Sequence, residues 1–449
     1  MEIVLTELSR YIIVVLMSIY TYWGFMVFAA KKKRRNRICR RQKMFIYMFH
    51  FLGHAIVYLN QEDVTILGLY GCELAFFIIS SIVYKKIYRK DNLPILNHIY
   101  MFFAISMVML ARLSIASAKR QFAYMVAGMI VCMALPWLLE HYRQLQKDGW
   151  FYAVLGLILL LVVLCFGTSK YGAKNWLNIG PISIQPSEFV KILFVVAFAS
   201  ILSNEILDFR NVVKISAMAA AFVLVLVLEK DLGGAVIFFI CYLFMLFVAT
   251  GSWAYLLEGL LGGSGAAVVA YFLFTHVRTR VTAWKDPWST IDNQGYQVAQ
   301  SLFAIGTGGW FGMGLAQGLP TSIPIRESDF IFAAISEELG MFFAICMILL
   351  YLCCFIWFIN IAAKIKNLFY KLTALGFSVI IMFQSFLTLG GVTKFIPSTG
   401  VTLPLVSYGG SSMISMIIMF CAIESINVIS GKEAANSVAE EKAEAPAGK

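Results

Sequence analysis

Charged residues are scarce in this sequence, and their scarcity excludes a soluble globular protein. Only 14% of the 449 residues are Asp, Glu, Lys or Arg, whereas 60% are hydrophobic. An ordinary soluble domain carries roughly 25% charged residues. Apolar runs of about twenty residues recur along the chain, and each is long enough to cross a hydrocarbon core of ~30 Å. The sequence therefore predicts a protein with many membrane spans, surrounded by membrane lipids.

Paired cysteines and clustered histidines are also lacking. No two cysteines have the C-x-x-C spacing, and almost all nine lie inside apolar runs, which predicts free thiols. The five histidines are scattered, which argues against a dedicated metal site. His50 and His54 lie one helical turn apart, and we expect a packed pair there rather than a pair of metal ligands.

The net charge of +11 is explained by the membrane topology. Lys and Arg are retained in cytoplasmic loops of membrane proteins, so no nucleic-acid partner is predicted. The first apolar run is followed by KKKRRNRICRRQK, which predicts a retained span with its N-terminus outside, not a signal peptide. Alternation from that start places 23 Lys and Arg residues inside and 11 outside. The C-terminus is then cytoplasmic.

Thirteen apolar runs predict an all-α, polytopic membrane fold. They lie near residues 10–30, 44–60, 64–84, 97–117, 121–140, 150–167, 187–203, 212–228, 233–250, 252–275, 329–361, 368–391 and 404–430. Segments 168–186 and 276–328 are predicted as external loops, where any external chemistry is expected. The tail, 431–449, is small, acidic and free of aromatic residues, which predicts a disordered cytoplasmic end.

Charges within spans need a partner or a function, because each costs at least ~2.5 kcal/mol on insertion. Glu188 and Lys191 are three residues apart on one helical face after Pro186. They form either a self-compensating pair or part of a site. The run Glu229, Lys230 and Asp231 stands between two predicted helices, where a tight polar turn explains part of the charge.

The segment 276–328 combines cations with carboxylates and amides. Arginine binds phosphate groups bidentately and a carboxylate accepts a proton, so this mixture suits a polyanionic, hydroxyl-rich ligand. The glycines at 306–318 follow no strand, and close turns or re-entrant backbone explain them better than a nucleotide site.

A fourth cluster joins SDFIFAAISEELG to TKFIPSTGVTLPLVSYGGSS. Glu337 and Glu338 point about 100° apart on a helix, so at least one is expected in the protein interior or a wet cavity. Prolines and glycines near Lys394 and Ser407 indicate irregular backbone at the outer face. Arg112, near the outer end of its span, either snorkels to the interface or binds a ligand.

Five motifs, in this order, resemble those of the shape, elongation, division and sporulation family of FtsW, RodA and SpoVE. They are GAKNWLNIGPISIQPSEFVKI, EKDLGGA, GYQVAQSLFAIGTGGWFGMGL, SDFIFAAISEELG and STGVTLPLVSYGGSS. The resemblance implies a ten-helix membrane core at 91–430, preceded by about three extra transmembrane helices in residues 1–90.

The resemblance also implies a peptidoglycan glycosyltransferase of cell division, elongation or sporulation. Such an enzyme polymerises lipid II, an undecaprenyl-pyrophosphate-linked disaccharide-peptide, at the outer face of the bacterial cytoplasmic membrane, beside a class B penicillin-binding protein. Cations or a divalent metal ion, Mg²⁺ or Mn²⁺, would stabilise the departing pyrophosphate, and no other cofactor is predicted. The alternatives are a flippase or transporter of lipid-linked precursor, and a non-catalytic scaffold that activates a penicillin-binding protein.

The sequence departs from the family at the essential aspartate of the long loop. An ungapped reading of DPWSTIDNQGYQ places Thr290 at that position. We therefore expect Asp292 to be the general base, with Asp286 second. The residues predicted to bind substrate are Arg112, Lys174, Trp176, Glu188, Lys191, Glu229, Asp231, Arg278, Arg280, Gln297, Gln300, Ser301, Asp329, Glu337, Lys394 and Ser407.

Overall fold

The computed structural model describes residues 2–88, 93–170, 173–180 and 182–444, and these residues form fifteen α-helices and one small sheet. The helices are α1 (Glu2–Ala29), α2 (Lys32–Gln61), α3 (Val64–Ile87), α4 (Leu93–Leu113), α5 (Ile115–His141), α6 (Gly149–Phe166), α7 (Pro186–Asn204), α8 (Phe209–Leu228), α9 (Leu232–Thr250), α10 (Trp253–Leu273), α11 (Thr275–Lys285), α12 (Tyr296–Gly308), α13 (Ile331–Lys364), α14 (Leu368–Val392) and α15 (Gly410–Glu444). Short 3₁₀ helices cover Arg143–Gln146 and Pro320–Ser322. The all-α, polytopic prediction is confirmed.

Twelve helices among the described residues are long and apolar enough to cross a membrane. Twelve of the thirteen predicted runs correspond to these helices, and the remaining one, 44–60, forms the second half of α2. This helix begins much earlier, at Lys32, because Lys and Arg are good helix formers, and its basic first half lowers its mean hydropathy.

The three N-terminal helices pack directly on the core. Helix α4 lies against α2, α3, α5 and α13, and α1 lies against α13. The apolar stretch of α4 is buried throughout, whereas none of α10 is buried. Two buried polar contacts fasten α4: Asn97 Nδ2 donates to the Cys39 carbonyl (2.9 Å), and His98 Nδ1 lies 3.1 Å from Tyr20 Oη. The boundary predicted at residue 90 falls outside the described residues.

The two predicted external loops are both structured. Residues 168–186 form an antiparallel sheet with strand order β1 (Thr168–Lys170), β2 (Ala173–Ile179) and β3 (Ile182–Ile184). Leu177 pairs with Ile184, and Gly180, at φ 61°, makes the turn between β2 and β3. Segment 276–328 contains α11 and α12, and α12 packs on α13 and α14. Tertiary packing stabilises these short elements inside the two segments.

The final helix extends past the predicted end of the core. It reaches Glu444, although a disordered tail was expected from residue 431, and residues 445–449 lie outside the described residues. Alanine and glutamate, which are abundant in this stretch, are good helix formers even where no core is available.

Candidate functional site

The main polar feature is a cavity of about 640 Å³ at one end of the helical core. Its walls come from five parts of the chain: β2, the turn between α8 and α9, the segment from α11 to the start of α12, the irregular stretch before α13, and the irregular stretch before α15. The cavity therefore joins all the segments that the sequence marked as unusual. Five of the predicted residues line it: Trp176, Asp231, Arg280, Gln297 and Asp329.

Asp231 is held rigidly at the start of α9. Its Oδ1 accepts a hydrogen bond from the Gly234 amide (2.8 Å), which caps the helix, and its Oδ2 accepts one from Asn175 Nδ2 (3.0 Å). The Lys174 amide donates to the Glu229 carbonyl (2.9 Å), so β2 is fixed to the same turn. These contacts explain why the run of three charges sits at the cavity wall.

Arg280 and Asp329 converge on Gly400. A Cβ atom built on Gly400 would lie 3.8 Å from Arg280 Nη2 and 3.6 Å from Asp329 Oδ2. Arg280 Nη1 donates to the Ser398 carbonyl (3.1 Å), and Asp329 Oδ1 accepts from Ser328 Oγ (2.9 Å). The irregular backbone before α15 thus has a cation and a carboxylate close to the same residue, Gly400.

Burial changes the acidity of both groups. It raises the pKa of Asp329, while the Ser328 hydroxyl and the Arg280 charge act in the opposite direction and Asp231 adds to the increase. It lowers the pKa of Arg280, which Asp231 and Asp329 partly restore. A carboxylate with a raised pKa beside an arginine is suited to accept a proton near neutral pH.

The two predicted bases lie near the cavity but do not line it. Asp292 is exposed, and the next two residues, Asn293 and Gln294, face the cavity. Asp286 is also exposed, and its Oδ1 accepts hydrogen bonds from the amides of Trp288 (3.1 Å) and Ser289 (3.2 Å). These hydrogen bonds, chiefly with Ser289, lower the pKa of Asp286 and make it a weaker base.

Glu188 and Lys191 form a buried network that does not line the cavity. Lys191 Nζ donates to Glu188 Oε1 (2.8 Å) and to Gln384 Oε1 (2.8 Å), and Ser415 Oγ donates to Glu188 Oε2 (2.9 Å). The network connects α7, α14 and α15. Of the two expectations for Glu188 and Lys191, the geometry favours a self-compensating pair. The charge and hydrogen-bonding groups of the two side chains are met by each other and by Gln384 and Ser415.

Arg112, Glu337 and Glu338 hold the segment between α12 and the Pro320–Ser322 helix. Arg112 Nε donates to Glu338 Oε1 (3.1 Å). Glu338 Oε2 accepts from the Ala316 amide (3.0 Å), and Glu337 Oε1 accepts from the Leu319 amide (3.0 Å). Both carboxylates are buried, although burial was expected for at least one of them. They accept hydrogen bonds from the backbone amides of Ala316 and Leu319, and so fix this segment against α13.

The remaining predicted residues also stand outside the cavity lining. Lys174 Nζ donates to the Leu164 carbonyl (2.7 Å), Ser301 Oγ to the Val392 carbonyl (2.7 Å), and Ser407 Oγ to the Ser328 carbonyl (2.6 Å). The Lys394 carbonyl accepts from Trp284 Nε1 (3.0 Å). Glu229 is buried behind the wall, Arg278 is exposed, and Gln300 is half-buried on α12.

Several cavity residues were missed from the sequence. Polar side chains without a strong motif supply much of the wall: Asn175, Gln185, Asn293, Gln294, Thr399, Ser411 and Ser412. Their nearness to marked residues was the available signal, because Asn175 precedes Trp176, Asn293 follows Asp292, and Ser411 and Ser412 end the YGGSS motif.

A membrane bundle whose broken outer segments enclose a charged cavity defines the class: a polytopic protein that handles a polar ligand at its surface. The family model FtsW/RodA/SpoVE, described as "Cell cycle protein", matches residues 91–431. This chain belongs to that family.

Relatives and solved structures agree. The chain is 32% identical over 415 residues to "Peptidoglycan glycosyltransferase RodA" of Mycobacterium tuberculosis, covering 85% of this chain and 88% of that protein. It is 34% identical over 313 residues to "Stage V sporulation protein E" of Bacillus subtilis, covering 67% and 84%. A chain of the structure described as "Structural coordination of polymerization and crosslinking by a peptidoglycan synthase complex" matches with 26% identity and a TM-score of 0.66, over 76% of this chain and 98% of that one. RodA of Thermus thermophilus, with 24% identity and a TM-score of 0.58 over 76% and 98%, shares the fold.

Proposed function

We propose that this protein is a peptidoglycan glycosyltransferase that polymerises lipid II in the cavity. The observation that carries the proposal is that Arg280 and Asp329 both line the cavity next to Gly400, on walls built from the family motifs. M. tuberculosis RodA, which aligns with this chain over most of both lengths, is named for this activity. The cavity volume accommodates part of a sugar-pyrophosphate, with the lipid chain remaining in the bilayer.

The reaction needs a base and a counter-charge. The 4-hydroxyl oxygen of one sugar attacks the anomeric carbon of the other, and the base takes the hydroxyl proton. The bond from the anomeric carbon to the pyrophosphate oxygen breaks, and its electron pair leaves with the lipid pyrophosphate. Arg280 and Lys230 line the cavity and supply positive charge for that leaving group. Lys394 and Arg278 lie farther out and are assigned to guiding the anionic substrate.

Two carboxylates compete for the role of base. Asp292 remains the first assignment, because it is exposed and directly precedes Asn293 and Gln294, which line the cavity. Asp329 is the alternative, because its carboxyl faces the cavity and has a raised pKa. Asp286 is disfavoured by its role in capping its own turn.

The deciding experiment measures glycan strands formed from labelled lipid II by the purified protein with a class B penicillin-binding protein. Loss of the base lowers the rate by about 10²- to 10⁴-fold. We expect this loss in Asp292→Asn and a smaller one in Asp286→Asn. Loss of activity only in Asp329→Asn would contradict this assignment and identify Asp329, which lines the cavity, as the base.

The two alternatives predict different results, one in this assay and one in a transport assay. Silence of the unmodified chain, with activity in Thr290→Asp, would identify a disabled polymerase that acts as a scaffold for its penicillin-binding partner. Precursor movement across proteoliposomes that no carboxylate substitution changes would instead identify a flippase.

The proposal also includes a divalent metal ion in the cavity, a protein partner and an orientation in the membrane. Asp231 and Asp329 provide the oxygen ligands that Mg²⁺ and Mn²⁺ prefer, and such an ion would neutralise the leaving pyrophosphate. A class B penicillin-binding protein is the proposed partner. The cavity faces the outside of the cytoplasmic membrane when the N-terminus is outside and the C-terminus cytoplasmic, the orientation that the distribution of Lys and Arg favours.

A further inference from the structure

Three metal-binding side chains meet in the N-terminal helices, outside the residues that the family model matches. His50 and His54 on α2 and Glu73 on α3 are buried, with exposures of 0%, 1% and 0%. One ligand atom from each lies within 4.8 Å of the other two. The sequence indicated only a packed histidine pair, because Glu73 lies on a different helix, inside an apolar run.

The distances approach those of a coordination sphere. His50 Nε2 lies 2.6 Å from Glu73 Oε2, and His54 Nε2 lies 3.3 Å from the same oxygen. Ligands at about 2.0–2.2 Å from a tetrahedral zinc ion stand roughly 3.3 Å from each other. The His54 spacing already matches this value, and a small rotation of the Glu73 side chain opens the His50 spacing.

The tautomer of His54 directs a lone pair into the cluster. Its Nδ1 lies 3.0 Å from the His50 carbonyl, which can only accept, so Nδ1 carries the proton. In the neutral ring Nε2 of His54 is therefore an acceptor, and it faces a carboxylate oxygen of Glu73. A carbonyl that fixes the outer nitrogen of a histidine is a frequent feature around metal ligands.

Polar atoms of the cluster lack a hydrogen-bond partner among the described residues. One proton can sit between His50 Nε2 and Glu73 Oε2. His54 Nε2 and Glu73 Oε1 have no hydrogen-bond partner among the described residues. His54 Nε2 and Glu73 Oε2 face each other at 3.3 Å, and two facing acceptors in a buried site need either a proton or a metal ion between them. A metal ion would satisfy His54 Nε2 and allow both oxygens of Glu73 to participate.

Aromatic rings close the site. The Tyr70 ring lies 5.0 Å from the His50 ring and 5.6 Å from the His54 ring, and Phe77 lies 5.1 Å from His50. They surround the cluster with low-dielectric material, which strengthens the attraction between an ion and its carboxylate.

We propose that His50, His54 and Glu73 bind one first-row transition-metal ion, with zinc the best fit to two imidazoles and a carboxylate. A water or hydroxide fills the remaining position, and hydroxide balances the second positive charge. Because the ligands come from two helices, the ion links α2 to α3. The proposal is independent of the glycosyltransferase activity.

The test uses the full chain, purified with a tag that contains no histidine. Elemental analysis by mass spectrometry is expected to find about one zinc per chain after dialysis against a weak chelator. His54→Gln and Glu73→Gln are expected to lower this content at least tenfold. His98→Gln is the matched control, because His98 is equally buried but contacts Tyr20 rather than the cluster, and it should keep the metal.

A second measurement does not depend on variants that fold. Chelator-stripped protein is titrated with Co²⁺, whose visible d–d absorption reports ligands of nitrogen and oxygen in a site of low coordination number. A stoichiometric band that added zinc displaces supports the proposal. Metal-free wild-type protein that gives no such band, or full zinc content in Glu73→Gln, would overturn it and leave a buried proton-sharing cluster.

Discussion

At the scale of single residues, Glu229 is a carboxyl group that the cavity wall buries without a hydrogen-bond partner among the described residues. Its side chain is fully buried just beyond the end of α8, and neither oxygen has a hydrogen-bond partner among the described residues. Burial, aided by the nearby charge of Asp231, raises its pKa to about 8. The residue is therefore neutral over much of the physiological range.

This raised pKa predicts a loss of stability at alkaline pH. A carboxyl whose folded pKa lies above its unfolded value stabilises the protein below about 4.5, and this contribution is lost as the pH rises through 8. The free energy of unfolding of the wild type should fall relative to that of Glu229→Gln across this window, by at most about 1.4 kcal/mol per pH unit, and thermal midpoints measured at each pH follow this difference. Midpoints that run parallel between pH 5 and 9 would contradict the assignment.

At the scale of elements, the N-terminal part of α13 is fitted to the glycine-rich segment. Residues 309–314 run beside the helix, and Met341 and Phe342 donate backbone hydrogen bonds to the carbonyls of Gly309 (2.9 Å) and Trp310 (3.1 Å). Gly340 interrupts the helix with φ 84° and ψ 170°, a conformation almost confined to glycine. The kink lets the segment approach, and Glu337 and Glu338 hold it on the other side.

Gly340→Ala is expected to destabilise the protein by about 2–5 kcal/mol, from backbone strain and from overlap. A Cβ atom there would collide with the backbone nitrogen of Gly312. Gly306→Ala is the matched control, because its Cβ would meet nothing within 4 Å and alanine favours the helix. Thermal unfolding in detergent compares the two, and equal midpoints would show that the kink tolerates side chains.

At the scale of the whole molecule, the three N-terminal helices are part of the packed core and are not a separate bundle next to it. They enclose α4 and supply partners to its polar residues, including Asn97 and His98. Without them those side chains would face lipid, where an unpaired polar group is costly. A chain that starts at residue 91 should therefore lose most of its monodisperse fraction.

Fluorescence-detected gel filtration measures this fraction. Co-expression of residues 1–90 as a separate polypeptide supplies the control, and it should restore the peak by packing on α4. Full stability of the 91–449 chain alone would show that lipid replaces the three helices.

The sequence predicted most spans because apolar runs of this length have few alternatives. It also anticipated the pair of Glu188 and Lys191, since helical spacing alone brings them together. It did not anticipate that Arg280 and Asp329 would both lie next to Gly400, because that arrangement depends on how α11 and the turn before α13 pack. Strands β1–β3 and helix α12 were missed for the same reason, since their stability is tertiary.

The enclosure of α4 also has a meaning for biosynthesis. A ribosome delivers α1, α2 and α3 before α4, so the surfaces that receive Asn97 and His98 already stand in the bilayer when α4 arrives. The leading helices thereby perform the task of an insertion chaperone within the same polypeptide. Asn97 and His98 therefore do not have to wait, exposed to lipid, for a partner synthesised later, whereas Arg112 meets Glu338 only after α13 has followed.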